Sequence, residues 1–359
     1  MSLKDLRQNI DEIDQRLVSI LSERSNIVKQ IGALKHKNNA NPFAPDREKA
    51  VYDKITKLNQ EAGQKIPDFM MRNIWREIMS ASIAMEKPIK VAYLGPEASF
   101  THLAAKSKFG NSIETVAQAS IPEVFKAVSS GTIAYGVVPA ENSMEGSIYQ
   151  TLDMLADNNL KICADIYCAI HQNLAVKSDT KIKRIYSHPQ PFAQCRKYLA
   201  NHYPDAELIE TASTTKAAQL VVDEEGSAAI CSIEAVELYG LKTIKTNIED
   251  DSKNTTRFFV IADTFAGATG KDRTSIIVEA HDEVGALINI LSPFKTHNVT
   301  LTKIESRPLR TRAWDYIFFI DFNGHAEDPN VANLIKELSQ IAKQVQVLGS
   351  FPITTPQNN

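Results

Sequence analysis

The chain has 359 residues, 43% hydrophobic and 23% charged, which is typical of a globular protein with two or three domains. Its formal net charge of −3 argues against nucleic acid as the main partner. It has no apolar run of about 18 residues and no basic-then-apolar start, so we expect a cytoplasmic protein with no membrane partner. The cysteines form no CxxC pair and have no histidine at zinc-finger spacing, so we expect free thiols and neither metal nor cofactor.

The first segment has the pattern of a helical module. Apolar residues recur in alternating steps of three and four from Leu3 to Leu34, which predicts one long helix with an apolar seam. After a break at Asn38–Pro45, a second helix is predicted near Asp46 and a third over Pro67–Met85. Because three helices cannot cover so long a seam, the pattern predicts a helical dimer.

Cations interrupt this apolar seam. Arg24 falls in its register, and Arg7 and Lys35 lie one position to the side. One such cation could extend into solvent or pair with a nearby acid, but several together favour a bound anion, since buried cations are costly alone. A rise of about 1.5 Å per residue puts Lys35 roughly 16 Å and Arg7 roughly 25 Å from Arg24. A small dianion could therefore contact Arg24, Lys35 and the Arg7 of an antiparallel partner.

The order and spacing of the polar residues in this segment resemble the all-helical chorismate mutases, through Arg7, Arg24, Lys35, Arg47, Glu48, Ser82 and Glu86. The resemblance implies rearrangement of chorismate to prephenate without proton transfer, by holding the reactive conformer and stabilising charge on the ether oxygen. It assigns the substrate carboxylates to Arg24 and a partner's Arg7, and the ether oxygen to Lys35 and Glu86. The remaining substrate contacts fall to Arg47, Glu48 and Ser82.

Two positions depart from the chorismate mutase pattern. Ala44 stands where some relatives carry an acid, so that contact is lost or made by backbone. Glu86 stands where other members use Gln, and a carboxylate cannot donate a hydrogen bond, so Glu86 must be protonated to help. We therefore expect mutase activity to rise as pH falls.

From Ile89 the pattern changes to short strands that alternate with helices, as in an α/β domain with largely parallel strands. We predict strands at Lys90–Leu94, Gly131–Val138, Arg184–Ser187 and Ser227–Ile230, and helices at Pro191–Asn201 and Thr214–Asp223. The segment reaches about Ile261, which is long enough for two lobes with a cleft between them.

Polar motifs stand beside these predicted strands. They are Gly95-Pro96 with Ser99, the loop Pro139–Ser143, the turn Ser187–Gln190 and the stretch Asn254–Phe258. Each alone is explained by helix capping, His188 by a structural turn and Arg257 by an ion pair with Glu249 or Asp250. No Ser–His–acid or metal constellation is legible in the sequence.

Together with Ser213-Thr214, these motifs closely resemble the prephenate dehydratases across Ile89–Ile261. The resemblance implies that prephenate loses CO₂ and its ring hydroxyl and becomes aromatic, with hydrogen-bond or proton donation to the leaving hydroxyl. Thr256 is the expected donor. The expected substrate-binding residues are Gly95, Ser99, Glu141, Asn142, Ser143, Ser187, His188, Thr214, Arg257 and Phe258.

A linker is predicted over Ala262–Asp272. A βαββαβ order then predicts a ferredoxin-like sandwich, with elements at Thr274–Ala280, Val284–Thr296, Val299–Arg307, Trp314–Asp321, Val331–Lys343 and Val345–Leu348 and a frayed tail at Pro352–Asn359. Its Gly-Ala-Leu and Glu-Ser-Arg-Pro motifs resemble the ACT domains of prephenate dehydratases, which bind L-phenylalanine at a domain interface. The resemblance implies an allosteric site at Gly285, Ala286, Leu287, Asn298, Glu305, Ser306 and Arg307.

The sequence thus predicts a multidomain chain with an all-α module at 1–88, a two-lobed α/β domain at 89–262 and an α+β ACT domain at 273–351. The expected function is conversion of chorismate to prephenate and of prephenate to phenylpyruvate, with feedback by L-phenylalanine, in a homodimer or higher homo-oligomer. One alternative is an amino-acid-binding regulatory protein whose helices serve only dimerisation, although the row of cations argues against it. Another is a dehydratase whose mutase is inactive because of Ala44.

Overall fold

The computed structural model describes residues 2–37, 43–308 and 316–354. The chain divides into two compact units, one of residues 1–90 with 109–114 and one of residues 91–108 with 115–359. Most of the predicted break at 38–45 lies outside the described residues, as do the predicted strand start at Trp314 and the last residues of the predicted tail.

The first unit contains helices α1 (Leu3–Lys37), α2 (Pro45–Glu61) and α3 (Asp68–Glu86). Pro45 occupies the first turn of α2, where its missing N–H costs no hydrogen bond. The predicted seam of α1 is exposed along its length, with Leu3 66%, Ile10 57% and Leu17 50% accessible. Most of this apolar surface therefore has no cover from the described residues of its own chain.

After α3 the chain forms two sheets and the helices that flank them. In chain order the elements are β1 (Lys90–Leu94), α4 (Phe100–Phe109), β2 (Glu114–Gln118), α5 (Ile121–Ser129), β3 (Tyr135–Asn142), β4 (Gly146–Ser147), α6 (Tyr149–Asp157), β5 (Lys161–Ala169), β6 (Asn173–Val176), β7 (Arg184–Ser187), α7 (Pro189–Gln194), α8 (Arg196–His202), β8 (Glu207–Glu210), α9 (Thr214–Val221), β9 (Ser227–Cys231), α10 (Ile233–Leu238), β10 (Lys242–Lys245) and β11 (Thr255–Ala262).

The first sheet has the order β2-β1-β3-β11-β5 with β4 beside β3, and the second has the order β10-β6-β9-β7-β8. Each sheet forms one lobe, so the two-lobed α/β prediction is confirmed. The expectation of largely parallel strands is wrong. β1 is parallel to β3, and β7 to β8 and β9, but β11 is antiparallel to both its neighbours and β6 to both of its own.

Two local predictions in these lobes are corrected. The strand predicted at Gly131–Val138 runs from Tyr135 to Asn142, so Glu141 and Asn142 lie in a strand and not in the loop after it. The helix predicted at Pro191–Asn201 is two short helices, α7 and α8, which meet at Cys195.

The last part of the second unit has the predicted βαββαβ order. It comprises β12 (Asp272–Glu279), α11 (Ala286–Thr296), β13 (Leu301–Pro308), β14 (Tyr316–Asn323), α12 (Pro329–Ile341) and β15 (Gln344–Pro352), with sheet order β13-β14-β12-β15. One face of this sheet packs on α11 and α12 through residues such as Ile276 and Ile320. The other face packs on the first lobe, where Ile277 and Phe319 join Phe259 in one core.

Two features make this packing close. A Cβ added to Gly349 on β15 would lie 2.0 Å from the carbonyl oxygen of Ile162 on β5, so only glycine permits this approach. The linker was predicted over Ala262–Asp272, and the segment that connects β11 to β12 is residues 263–271. This segment is also anchored, because Ala266 is buried and its carbonyl oxygen accepts a hydrogen bond from His325 Nε2 at 3.0 Å. The third sheet is therefore fixed to the first lobe.

Candidate active sites

The first candidate site lies where α1 crosses α3. Arg24 donates from Nη1 to the hydroxyl of Ser82, and Lys35 Nζ lies 2.8 Å from Glu86 Oε2. The Glu86 side chain is 9% exposed and Ser82 is buried, whereas most of α1 is exposed. The structure thus brings Arg24, Lys35, Ser82 and Glu86 together in one chain.

The electrostatics of this site suit an anion. Burial lowers the pKa of Arg24 from its ordinary value, and the charge of Glu86 offsets part of that effect. The Ser82 hydroxyl donates its own proton to the carbonyl oxygen of Ile78 at 2.6 Å, so its oxygen is the acceptor of the hydrogen bond from Arg24 Nη1. Sequence reasoning missed Gly32, which allows the two helices to approach closely here: a Cβ at this position would stand 3.1 Å from Glu86 Cα.

Arg47, Glu48 and Arg7 are the other residues predicted for this module. Arg47 is exposed and Glu48 half-buried in the first turn of α2, which begins after Ala44. The backbone of Ala44 accepts from the Glu48 N–H at 2.9 Å. Arg7 is exposed near the start of α1, roughly 25 Å from Arg24 along the helix axis. One chain alone does not bring Arg7 to the Arg24 site.

The second candidate site is a row of side chains across three strands. Thr256 on β11 stands opposite Asn142 on β3 and Cys168 on β5, so all three project from the same face of the sheet. Asn142 Nδ2 donates to Thr256 Oγ1 at 2.9 Å. The pKa of the Cys168 thiol is raised to about 11, mostly by burial, with a hydrogen bond from Ser107 opposing and the charge of Glu234 adding to the rise. The row thus lies beside Ser107 of α4 and Glu234 of α10, and α10 belongs to the second lobe.

Glu141 and Arg257 occupy the opposite face of the same strands, which corrects their predicted place beside Thr256. Arg257 donates from Nε to Asp165 at 3.1 Å and from Nη1 to Asp321 at 2.5 Å, and Glu141 pairs with Lys303 at 2.8 Å. Burial alone raises the pKa of Asp321, but the charge of Arg257 and the hydroxyl of Ser275 outweigh it and lower the pKa. Glu141 and Arg257 therefore contact the third sheet, through Lys303 and Asp321. Asn142 and Thr256 project from the other face, because successive residues of a strand point to opposite faces.

The carboxyl ends of the parallel strands β7, β8 and β9 meet at one edge of the second lobe, and the predicted residues Ser187, His188 and Thr214 lie there. Ser187 donates to the Ile230 carbonyl oxygen at 2.9 Å, and His188 accepts from the Gln190 N–H at 3.4 Å. Ser187 thus links two strands and His188 caps α7. Both lie at an edge where helices begin, and helix N-termini favour anions.

The first lobe meets that edge through the loop before α4. Ser232, at the start of α10, donates to the Ala98 carbonyl oxygen at 2.9 Å. Ser99 donates to the Leu94 carbonyl oxygen and accepts from the His102 N–H, and Gly95 donates its N–H to Gln118. This loop therefore joins Gly95 and Ser99 to the cleft between the lobes.

Two further predicted residues are used structurally. The Ser143 hydroxyl accepts from the Thr255 N–H at 3.0 Å and donates to the Lys253 carbonyl oxygen at 3.3 Å, which ties the ends of β3 and β11 together. Phe258 follows the site residues into the core and is 2% exposed.

Sequence reasoning named Asn254 only as the first residue of a motif, with no role of its own, and did not consider His102. Asn254 is fully buried and its Oδ1 accepts from Asn142 at 2.8 Å. Its place directly before the Thr-Thr-Arg-Phe run was the available signal. His102 Nδ1 accepts from the Ala98 N–H at 3.0 Å, and burial together with Lys106 lowers the pKa of the ring, so it braces the loop as a neutral side chain.

The third candidate site is a pocket of about 440 Å³ on the helix side of the last sheet. Gly285, Ala286 and Leu287 line it with Tyr316 and Phe318. Gly285 has φ +88°, a conformation that a side chain would strain. Ser306 stands opposite Phe318 on the neighbouring strand, on the same face.

The other predicted allosteric residues do not join that pocket in one chain. Glu305 accepts from Ser147 at 3.1 Å, and Arg307 donates to both oxygens of Asp153 at 3.1 Å, so both face the first lobe. Asn298 is exposed beyond the far end of α11, with φ +52°. The alternation of β13 therefore separates Ser306 from its two neighbours.

Within residues 2–37, 43–308 and 316–354, no group of three or more His, Cys, Asp or Glu side chains is arranged to hold a metal ion. In the same ranges no helix is both long and apolar enough to span a lipid bilayer.

Three family models match the chain in order: chorismate mutase type II over residues 6–87, prephenate dehydratase over 91–265 and the ACT domain over 274–340. A bifunctional chorismate mutase/prephenate dehydratase of Aquifex aeolicus is 42% identical, over 98% of both chains. One of Pseudomonas aeruginosa is 40% identical, over 98% of this chain and 97% of its own. The crystal structure of a prephenate dehydratase from Arthrobacter aurescens in complex with L-Phe covers 75% of this chain and 91% of its own, at 30% identity and a TM-score of 0.70.

Proposed function

The chain belongs to the family of bifunctional chorismate mutase/prephenate dehydratases, and we propose that it converts chorismate to prephenate and prephenate to phenylpyruvate under feedback by L-phenylalanine. The observation that carries the dehydratase part is the row of Asn142 and Thr256, on the face of the first sheet that looks toward the second lobe. The mutase part is carried by the cluster of Arg24, Lys35, Ser82 and Glu86.

In the dehydratase step Thr256 assists departure of the ring hydroxyl. The C–CO₂ bond breaks to release CO₂, its electron pair completes the aromatic ring, and the C–OH bond breaks with its pair on oxygen. Hydroxide leaves from the dianionic substrate, so phenylpyruvate is a monoanion. Donation from Thr256 Oγ1 stabilises the charge that grows on the departing oxygen. The helix N-termini at the edge of the second lobe and the loop through Ser99 favour the carboxylates.

Replacement of Thr256 by alanine tests this assignment. Thr256→Ala should lower dehydratase kcat by roughly 100-fold or more, since general-acid or hydrogen-bond donation is worth at least that much. Thr255→Ala is a matched control, because the Thr255 hydroxyl donates to the Lys253 carbonyl oxygen and projects from the other face. Equal losses in both variants would contradict the role given to Thr256.

In the mutase step the helical module supplies charge and shape but no proton transfer. Arg24 is positioned to bind a carboxylate, and Lys35 and Glu86 to face the ether oxygen whose charge grows as its bond to carbon breaks. Arg47, Glu48 and Ser82 fix the rest of the substrate.

We infer that Arg7 joins this site from a second copy of the chain. The exposed seam of α1, from Leu3 to Leu34, supports a dimer in which two long helices pack together. Arg7→Ala and Arg24→Ala variants should each be inactive as mutases. When the two are mixed and reassembled, about a quarter of the wild-type activity should return, because half of the dimers are hybrids with one intact site of two. If no activity returns on mixing, Arg7 and Arg24 do not act across two chains, and the inference is wrong.

The pocket at Gly285–Leu287 is the proposed site for L-phenylalanine. Its apolar and aromatic lining, from Leu287 and Phe318, suits a phenyl ring, and the glycine turn gives a carboxylate access to backbone. Calorimetry on the full chain should show binding that Leu287→Ala weakens about tenfold and that Val284→Ala, at a fully exposed side chain, leaves unchanged. Equal binding by both variants would place the effector elsewhere.

The cytoplasmic location and the domain bounds 1–88, 89–262 and 273–351 stay predictions.

A further inference from the structure

The buried amide of Asn254 stands behind the Asn142–Thr256 pair. It lies in the segment that returns from the second lobe, directly before β11, and its backbone carbonyl oxygen accepts from the Ile170 N–H at 2.8 Å. Its side chain is fully buried, and its Oδ1 accepts from Asn142 Nδ2 at 2.8 Å. The three side chains therefore form one chain of contacts, from Asn254 through Asn142 to Thr256.

The neighbouring hydrogen bonds determine which atom donates and which accepts along the contacts from Asn254 through Asn142 to Thr256. Asn142 Oδ1 accepts from the backbone N–H groups of Met144 at 3.0 Å and Glu145 at 3.3 Å, so the oxygen of this amide cannot be exchanged with its nitrogen. Both protons of Asn142 Nδ2 are then used, one on Asn254 Oδ1 and one on Thr256 Oγ1. The atom of Asn254 that meets Asn142 must be its oxygen.

This arrangement decides where the Thr256 proton points. Thr256 Oγ1 accepts from Asn142, and an amide nitrogen cannot accept in return, so the hydroxyl proton must lie away from Asn142. Among the described residues no acceptor lies within hydrogen-bonding distance of that proton. The hydroxyl is thus set as a donor on the face that looks toward the second lobe.

The Asn254 amide is only half satisfied in this position. Its Nδ2 is fully buried and has no partner among the described residues. A buried donor without a partner destabilises a fold, so its presence needs another explanation. An alanine or an aliphatic side chain would avoid this cost but would leave one proton of Asn142 unpaired.

We propose that Asn254 is a positioning residue of the dehydratase reaction, which holds the Asn142 amide so that the Thr256 hydroxyl presents its proton to the leaving hydroxyl of the substrate. This inference rests on the proposed role of Thr256. Without Asn254 Oδ1, the Asn142 amide is free to turn, and the Thr256 hydroxyl then spends part of its time donating to Asn142 Oδ1, or in another rotamer, instead of donating to the substrate. The loss falls on the transition state, where the donor is needed, and not on substrate binding.

The test uses full-length Asn254→Ala with prephenate as substrate. We expect dehydratase kcat to fall 10- to 100-fold with KM changed less than about threefold. The same substitution is then made in a Thr256→Ala background, where it should lower the residual rate less than twofold, because a residue that acts through Thr256 has nothing left to position. A further tenfold loss in that background would overturn the proposal, as would an unchanged kcat in Asn254→Ala alone.

A second variant covers the case in which Asn254→Ala fails to fold, which thermal unfolding would reveal. Asn254→Asp keeps an oxygen toward Asn142, so its kcat should stay within about fivefold of wild type, with KM raised because the added charge repels a dianion. A folded Asn254→Asp protein whose kcat falls about 100-fold would also overturn the proposal. If Thr256→Ala itself keeps wild-type kcat, the role of Thr256 fails, and that outcome is distinct from failure of the Asn254 inference.

Discussion

Replacement of Arg257 by methionine is the sharpest perturbation of the contact between the first lobe and the third sheet. The Arg257 side chain is 5% exposed and bridges Asp165, which is fully buried, and Asp321, which is 10% exposed. Methionine keeps most of the volume but removes the charge. Asp165 retains a contact with Arg273 at 3.3 Å, whereas the described ion pair of Asp321 is with Arg257.

The expected cost is about 3–5 kcal/mol in the free energy of unfolding of the second unit, because loss of one partner leaves a buried charge uncompensated. The double variant Arg257→Met/Asp321→Asn should recover at least about 1 kcal/mol of this, since the unpaired carboxylate is then neutral. We also expect weaker inhibition of the dehydratase by L-phenylalanine. The residue next to Arg257 is Thr256, on the other face of the same strand, so movement of the third sheet reaches the site through β11.

The assay is urea unfolding followed by circular dichroism, with dehydratase rates measured over a range of L-phenylalanine concentrations. Lys242→Met is the matched control, because its 2.5 Å pair with Asp179 is exposed at both ends and should be worth at most about 1 kcal/mol. If Arg257→Met and Lys242→Met unfold at the same urea concentration, the reasoning about the buried pair is refuted.

Three further predictions concern single groups. Because folding lowers the pKa of Asp321, the stability that its carboxylate contributes is complete above the unfolded pKa of about 3.9 and is lost as pH falls through the folded value. The free energy of unfolding in urea should therefore decrease more from pH 5 to pH 3 for wild type than for Asp321→Asn. Glu86→Gln should flatten the expected rise of mutase activity toward low pH, because the amide donates at every pH, and an unchanged pH–rate profile would contradict this. Gly32→Ala should lower mutase kcat/KM about tenfold or more while sparing the dehydratase, since its Cβ stands 3.1 Å from Glu86 Cα, and paired assays on one preparation check this.

Much of the architecture could be predicted because its patterns are local. The three-and-four spacing from Leu3 to Leu34 predicted both α1 and its lack of cover, and the strand and helix order after residue 272 predicted the last sheet. The mixed direction of the two central sheets could not be predicted in this way. It depends on β11 returning from the second lobe to pair between β3 and β5, a contact between residues about a hundred positions apart.

The candidate sites show the same limit. Thr256 and Arg257 were grouped because they are neighbours in a motif, but they lie inside β11, where alternation sends them to opposite faces. Had the strand been predicted to begin at Thr255, their separation would have followed. The partners of Arg257, by contrast, come from β5 and β14, and only the folded chain places Asp165 and Asp321 on either side of it.

The most direct test of two separate active sites in one chain is an assay that starts from chorismate and follows both prephenate and phenylpyruvate. Wild type should form phenylpyruvate, Thr256→Ala should stop at prephenate, and Arg24→Ala should leave chorismate untouched yet convert added prephenate. Formation of phenylpyruvate by Thr256→Ala at the wild-type rate, or consumption of chorismate by Arg24→Ala at that rate, would contradict the account.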